Sequence, residues 1–313
     1  MNVRQVEEAI RDQLDGDVQN IKLVSNGYHK VFSLERNGEA CFVKVYAVPL
    51  PSAIDPSLEV RLLKDMERRQ VQGIVRVVAS GAVTLSGGRS RAYLVCTAAR
   101  GDRLTLSEED LDAFGAALAT LHVQASASAS ALLLNVSPAD YCKYASEMLA
   151  REANAFARVR KSLDKAAQAI ERAGLEHAFI HGDVRIDNAR RSEYGVTFFD
   201  FEQASQGPTA FDLSTVAWWL ATSCDDEQHR LWSAFLSGYT RINDACLGSL
   251  SLLPELLIAN EARALPLLFR VAGTNSPVWS SAIAQLADAT GRYEMDRRAV
   301  LPPGLRGTDW VTQ

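Results

Sequence analysis

The chain has 313 residues, of which 47% are hydrophobic and 23% charged, a balance typical of a folded protein with one large or two moderate cores. The formal net charge of -5 argues against a nucleic-acid-binding surface, which would cluster Lys and Arg on one face. No stretch approaches the roughly 18 apolar residues of a membrane-spanning helix, and the charged residues 1–16 are unlike a signal peptide. We therefore expect a cytoplasmic protein without nucleic-acid or membrane partners.

The first third of the chain predicts strands, a helix and one unusual lysine. Residues 25–32 contain a turn around Gly27. Residues 40–47 form an apolar, strand-like run that only Lys44 interrupts, and lysines avoid such positions unless they are paired. The helix predicted over residues 57–70 places Glu59 at the edge of its apolar face. Alternatively, Lys44 extends from a half-exposed strand and Glu59 is a solvated helix charge.

After a further strand, predicted over residues 91–96, the sequence is mostly helical. Residues 108–122 repeat apolar side chains at helical spacing and predict an amphipathic helix. The alternating Ala and Ser of residues 125–130 predict a loop insertion. Residues from about 227 onward predict further helices.

The most informative segment is His181-Gly182-Asp183-Val184-Arg185-Ile186-Asp187-Asn188, which is followed by Asp200. An Asp, a basic residue two positions later, an Asn five positions later and a second Asp beyond a short hairpin are typical of ATP-dependent phosphoryl transfer. The hairpin is predicted around the turn-like residues 192–195. An unrelated His-Gly-Asp turn beside a strand hairpin is the alternative.

Phosphoryl transfer requires a site that orients a hydroxyl group, holds Mg²⁺ and neutralises charge on the transferred group. Asp183 is the candidate that accepts the hydroxyl proton. Asn188 and Asp200 are candidate Mg²⁺ ligands, because Mg²⁺ prefers oxygen atoms and keeps several waters. The guanidinium of Arg185 suits the γ-phosphate.

These motifs resemble the aminoglycoside phosphotransferase and choline kinase superfamily, a relative of the protein kinases. Its catalytic loop has the form His-Gly-Asp, four residues and Asn, and the Asp212-Leu213 pair resembles the one that anchors this loop in the family. The resemblance implies an α+β, bilobal, protein-kinase-like fold. We expect a small antiparallel β-sheet lobe at residues 1–96 and a mostly helical lobe at residues 97–313. Glu202 departs from the Asp-Phe-Gly of protein kinases.

The resemblance also implies the roles of residues in the first lobe. Lys44 would contact the α- and β-phosphates of ATP and pair with Glu59. Gly27 would lie in the turn that covers the phosphates. The segment that begins at Thr97 would be the hinge, with the Thr97 carbonyl and the Ala99 N–H bonded to adenine.

The expected activity is that of a kinase, a phosphotransferase that uses ATP and Mg²⁺ and has an alcohol group as acceptor. The acceptor is expected to be an amino alcohol, hydroxy amino acid, sugar derivative or antibiotic. Residues 250–290 are poor in charge, which favours the first three over a multiply charged aminoglycoside. Arg263 and Arg270 are either binding groups for an anionic substituent or surface residues. Two alternatives stay open: a Ser/Thr protein kinase resembling bacterial stress-response kinases, with a protein substrate, and a non-catalytic nucleotide-binding regulator.

Overall fold

The computed structural model describes residues 3–47, 56–85, 88, 90–129, 132–150, 156–223, 227–301 and 305. The chain divides into two compact units, residues 1–103 with 189–203 and residues 104–188 with 204–313. No helix in the described ranges is long and apolar enough to cross a membrane.

The first unit contains a five-stranded sheet in which every neighbouring pair is antiparallel. The strands are β1 (Val18–Asn26), β2 (Lys30–Arg36), β3 (Glu39–Val45), β4 (Val77–Thr84) and β5 (Ser90–Thr97). Their order in the sheet is β1-β2-β3-β5-β4. The antiparallel sheet predicted for the N-terminal region is therefore confirmed.

One face of this sheet packs with helix α1 (Val3–Gln13) to form the core of the first unit. Val43 and Val45 of β3 are fully buried in this core. Because side chains alternate along a strand, Lys44 projects to the opposite face. Helix α2 (Pro56–Arg68) buries its apolar residues together with Glu59. The strand alternation and the helix together position the two charged side chains.

A second hairpin, β7 (Ala189–Ser192) and β8 (Gly195–Phe198), lies where the sequence predicts it. It belongs to the first unit, because Asp102 and Arg191 exchange two backbone hydrogen bonds of 2.9 Å and the Val75 N–H donates to the Phe198 carbonyl at 3.2 Å. A 3₁₀ helix, Phe201–Gln203, follows the hairpin.

The second unit is mainly helical. Its helices are α3 (Glu108–Ala129), α4 (Pro138–Leu149), α5 (Ala157–Ala173), α6 (Thr209–Ser223), α7 (Gln228–Thr240), α8 (Leu253–Arg263), α9 (Leu265–Ala272) and α10 (Pro277–Met295). Short 3₁₀ helices cover Ile186–Asn188, Leu247–Leu252 and Arg297–Val300. Strands β6 (Ala178–Ile180) and β9 (Ser205–Gly207) pair in antiparallel fashion beside the helices.

Helices α3 and α7 pack at backbone contact. A Cβ atom on Gly115 would lie 2.1 Å from the Phe235 carbonyl oxygen, and one on Gly238 would lie 1.9 Å from that of Asp112. Only glycine permits such an approach. The pair of glycines therefore determines how closely these two helices pack.

The prediction of a loop over residues 125–130 is wrong for residues 125–129, which extend α3. Ala has the highest helix propensity of all residues, and Ala125 is fully buried. The Ser126 hydroxyl donates to the His122 carbonyl at 2.5 Å, a bond that occupies the Ser side chain within the helix. The helix propensity of Ala and the burial of Ala125 therefore favour a helix over the loop that the low-complexity composition predicts.

An antiparallel sheet in one unit and helices in the other make this an α+β protein, which confirms the predicted class. The lobe boundary after Cys96 stays a prediction.

Candidate active site

The candidate residues fall into two sets, one in each unit. In the first unit, Lys44 Nζ lies 3.3 Å from Glu59 Oε2, 2.5 Å from Asp200 Oδ1 and 2.6 Å from Glu202 Oε2. The Lys44 side chain is 13% exposed and that of Glu59 is 3% exposed. The structure therefore brings together three predicted site residues and adds a fourth, Glu202.

Burial and the neighbouring charges shift the pKa values of this cluster in different directions. Burial alone would lower the pKa of Lys44, but Glu59, Asp200 and Glu202 raise it well above its usual value. Burial likewise favours a higher pKa for Glu202, yet hydrogen bonds and charges from His29 and Lys44 hold it at about 2. Burial raises the pKa of Glu59. Lys44 consequently stays a cation at neutral pH.

Tyr46 completes the surroundings of Lys44 and was not predicted. Its hydroxyl donates to Glu59 Oε2, and its ring centroid lies 5.1 Å from Lys44 Nζ. Burial raises the Tyr46 pKa far above its usual value, so the hydroxyl keeps its proton. Tyr46 thus fixes the Glu59 carboxylate that faces Lys44.

The turn that contains Gly27 joins this cluster through His29. The Ala47 N–H donates to His29 Nδ1 at 3.0 Å, and His29 Nε2 lies 2.9 Å from Glu202 Oε2. Because Nδ1 accepts a hydrogen bond, Nε2 carries the ring proton and donates it to Glu202. Gly27 itself is exposed, and among the described residues a Cβ there would meet only Ser25 Oγ at 3.6 Å. The fold alone therefore does not require glycine at this position.

The predicted hinge residues lie at the end of β5. Thr97 is its last residue, and Ala99 follows in a segment without regular structure. The Thr97 N–H donates to the Arg76 carbonyl at 2.9 Å. No hydrogen bond from the Ala99 N–H is found within the described part of the chain.

Asp200 follows the second hairpin in an unusual conformation. Its φ of 68° lies in the left-handed region, which Asp tolerates better than most residues. The preceding Phe199 packs against Arg190, with 5.1 Å between the guanidinium carbon and the ring centroid. The turn in the backbone and the Lys44 contact orient the Asp200 carboxylate.

In the second unit, a buried carboxylate holds the start of the 181–188 loop. Asp212 accepts hydrogen bonds from the backbone N–H groups of His181 and Gly182 at 2.7 and 2.9 Å. His122 Nε2 lies 3.0 Å from Asp212, and its Nδ1 lies 2.8 Å from the Tyr239 hydroxyl. Gly182 has a φ of 82°, which glycine adopts without strain. The loop is therefore anchored from beneath by a connected polar network.

The same loop surrounds the Asp183 carboxylate with donors. Asn188 Nδ2 donates to Asp183 Oδ2 and to its carbonyl, each at 2.9 Å. Arg185 Nη2 donates to Oδ2 at 3.2 Å. Arg263 Nη2 donates to Oδ1 at 3.4 Å, while Nη1 donates to the Gly182 carbonyl. The loop therefore presents an oriented carboxylate beside two guanidinium groups.

The predicted metal ligands fit Mg²⁺ chemically. The bonds of Asn188 to Asp183 use its Nδ2, so the amide oxygen has no partner among the described residues. Asp200 uses Oδ1 for Lys44, and its side chain is 34% exposed. No cluster of three or more His, Cys, Asp or Glu side chains with metal-binding geometry occurs in the described ranges. One carboxylate and one amide suit an ion that keeps water and phosphate ligands.

Besides Tyr46 and His29, the sequence does not indicate the parts played by Glu202 and Arg263. Glu202 was interpreted only as a departure from Asp-Phe-Gly, although a carboxylate two residues after Asp200 is a visible signal. Arg263 was considered for an acceptor substituent, whereas the structure places its guanidinium on Gly182 and Asp183. The side chain of Arg270 lies outside the described part of the chain.

A family model described as "Phosphotransferase enzyme family" matches residues 20–246. No curated protein matches the sequence significantly. The structure is similar to that of the amicoumacin kinase hAmiN, solved in complex with AMP-PNP, Ca²⁺ and Ami, with a TM-score of 0.75, 15% identity and 96% of each chain covered.

Two further solved structures are similar. One is a microcompartment-associated aminopropanol kinase, with a TM-score of 0.66, 14% identity, and 95% of this chain and 98% of that one covered. The other is the choline kinase LicA from Streptococcus pneumoniae, with a TM-score of 0.66, 14% identity, and 93% and 99% coverage. At these identities the likeness concerns the fold, and it confirms the predicted kinase-like architecture.

Proposed function

Because the chain belongs to the phosphotransferase enzyme family, we propose that it transfers the γ-phosphoryl group of ATP to a hydroxyl group of a small molecule. The observation that carries this proposal is the position of the Asp183 carboxylate. It lies on a loop that Asp212 anchors, and it accepts hydrogen bonds from Asn188, Arg185 and Arg263. A proton acceptor fixed in this way is what the transfer of phosphate to an alcohol needs.

In this mechanism, Asp183 accepts the proton of the acceptor hydroxyl while the hydroxyl oxygen of the acceptor attacks the γ-phosphorus. Arg185 neutralises charge on the transferred group. Asn188 and Asp200 would hold Mg²⁺ through oxygen atoms, and Mg²⁺ bound there would supply charge neutralisation at the phosphates.

The first unit binds the rest of the nucleotide. Lys44, kept cationic by its carboxylate partners, binds the α- and β-phosphates, and Glu59 orients it. The backbone of the Gly27 turn approaches the phosphates. The Thr97 carbonyl and the Ala99 N–H bond to adenine, for which an Ala99 N–H without a partner among the described residues is suitable.

A small acceptor of low positive charge agrees best with the carboxylates of residues 250–290. Glu255 is already bound by Arg297 and Tyr293, and Glu261 accepts a hydrogen bond from Trp218 Nε1 at 2.8 Å. Such pairs leave few carboxylates for a polycation. The similar structures include an amicoumacin kinase, an aminopropanol kinase and a choline kinase, and also aminoglycoside phosphotransferases.

The test is ADP release from Mg·ATP across a panel of amino alcohols, hydroxy amino acids, sugars, aminoglycosides and a generic protein, with the Asp183→Asn variant as control. Stimulation by one small compound that is lost in the variant supports the proposal. Phosphate incorporation into protein alone would replace it with a protein kinase activity. A release rate that no compound stimulates, with nucleotide binding intact, would favour the regulatory alternative.

A further inference from the structure

Arg263 is the last residue of α8. In the sequence it lies about 80 residues after the loop that its side chain contacts. Its side chain is only 12% exposed. The guanidinium carbon lies 5.8 Å from the ring centroid of Phe211, so one face of the group packs against an aromatic side chain of α6. Buried arginines that are packed and hydrogen-bonded in this way hold one geometry.

The two terminal nitrogen atoms of Arg263 have different partners. Nη1 donates to the carbonyl of Gly182, and Nη2 donates to Oδ1 of Asp183 at 3.4 Å. A planar fork can hold a backbone carbonyl and the next residue's carboxylate together, which a lysine ammonium on a flexible stem cannot do in one fixed geometry. Arg263 therefore restrains both the backbone and the side chain at Asp183.

The two carboxylate oxygens of Asp183 are not equivalent. Oδ2 accepts hydrogen bonds from Asn188 at 2.9 Å and Arg185 at 3.2 Å. Oδ1 accepts only the longer bond from Arg263 in the described part of the chain. Oδ1 therefore has the greater remaining capacity to accept a proton.

We propose that Arg263 is a positioning residue, which holds Asp183 with Oδ1 presented to the acceptor hydroxyl. This inference rests on the proposed function. The hydroxyl proton passes to Oδ1 as the acceptor oxygen bonds to the γ-phosphorus and the bond from that phosphorus to the bridging oxygen of ADP breaks. Asp183 afterwards releases the proton to solvent.

The test compares Arg263→Ala and Arg263→Lys with the control Arg292→Ala. Arg292 lies on α10 and forms an ion pair with Asp288. Because a small displacement of a reacting group is costly, we expect Arg263→Ala to lower kcat about 10- to 100-fold, with little change in KM for Mg·ATP. Millimolar guanidinium should restore part of the kcat of Arg263→Ala and leave Asp183→Asn inactive. Arg263→Lys should stay below wild type, and Arg292→Ala should match wild type.

Other results would overturn the inference. An unchanged kcat in Arg263→Ala would do so, as would a raised KM for the acceptor at unchanged kcat, which would make Arg263 a binding residue for the acceptor. A loss of kcat that guanidinium does not restore, together with a lowered Tm, would indicate a purely structural role.

If wild type showed no acceptor-dependent turnover, the proposed function would fail separately. Amide hydrogen exchange would then test whether Arg263 restrains the loop around Asp183. The Gly182 and Asp183 amides should exchange faster in Arg263→Ala than in Arg292→Ala, and equal exchange would refute the restraint.

Discussion

Replacing Glu202 by Gln should remove a large part of the electrostatic stabilisation of the first unit. Glu202 Oε2 lies 2.6 Å from Lys44 Nζ and 2.9 Å from His29 Nε2, and its side chain is 25% exposed. Burial opposes the charge of Glu202, but His29 and Lys44 outweigh burial and lower its pKa from 4.5 to about 2. At about 1.4 kcal/mol per pKa unit, this difference corresponds to about 3 kcal/mol at neutral pH.

The sign of the pH dependence follows from the direction of the pKa change. A carboxylate with a lowered pKa in the folded state stabilises the protein above its unfolded pKa, and this contribution disappears as the pH falls towards the folded value. For Glu202 the window extends from about 4.5 down to about 2. In this window the free energy of unfolding should fall less steeply for Glu202→Gln than for wild type.

The assay is urea unfolding followed by circular dichroism at a series of pH values. The described tryptophans, Trp218, Trp219, Trp232 and Trp279, belong to the second unit, so their fluorescence would not report on the first. Glu193→Gln is the matched control, since Glu193 is exposed in the turn of the second hairpin. If Glu202→Gln lost no more stability than Glu193→Gln, or kept the wild-type pH dependence, the argument about the Lys44 cluster would be refuted.

Three further predictions concern the binding and anchoring residues. Asp200→Ala should weaken ATP binding in the presence of Mg²⁺ and leave metal-free binding almost unchanged. Titration calorimetry with and without Mg²⁺ tests this. If wild type and Asp200→Ala bound Mg·ATP with equal affinity, Asp200 would not belong to the metal site. Gly27→Ala should change stability by less than about 0.5 kcal/mol, since a Cβ fits there, but should raise KM for ATP, and an unchanged KM would show that the turn does not approach the phosphates. Asp212→Asn should lower the free energy of unfolding by about 2 to 4 kcal/mol, because it removes a buried carboxylate that accepts from His181 and Gly182; a wild-type Tm would contradict this anchoring.

Local patterns predicted the secondary structure elements that carry several candidate residues. Lys44 interrupts the apolar run that forms β3, and Glu59, predicted at the edge of the apolar face of its helix, is buried in α2. The turn residues 192–195 likewise predicted the hairpin that precedes Asp200.

Contacts over long sequence distances were not predictable in this way. The sequence around Arg263 shows the spacing of apolar residues in a helix. It does not indicate that the Arg263 guanidinium contacts a loop about 80 residues earlier. His122 bonds to both Tyr239 and Asp212 through the packing of separate helices. The extension of α3 through Ala125 depends on burial, which composition alone does not report.

The most direct test of the central claim is to follow labelled phosphate from γ-labelled ATP in wild type and in Asp183→Asn, with the best acceptor of the panel. We predict one labelled phosphate on the small molecule with wild type, and a rate about 10² to 10⁴ times lower in the variant, the usual loss for a proton-transfer residue. Binding of Mg·ATP should be alike in both. Equal transfer rates in the two proteins would contradict the assignment of Asp183 as the proton acceptor.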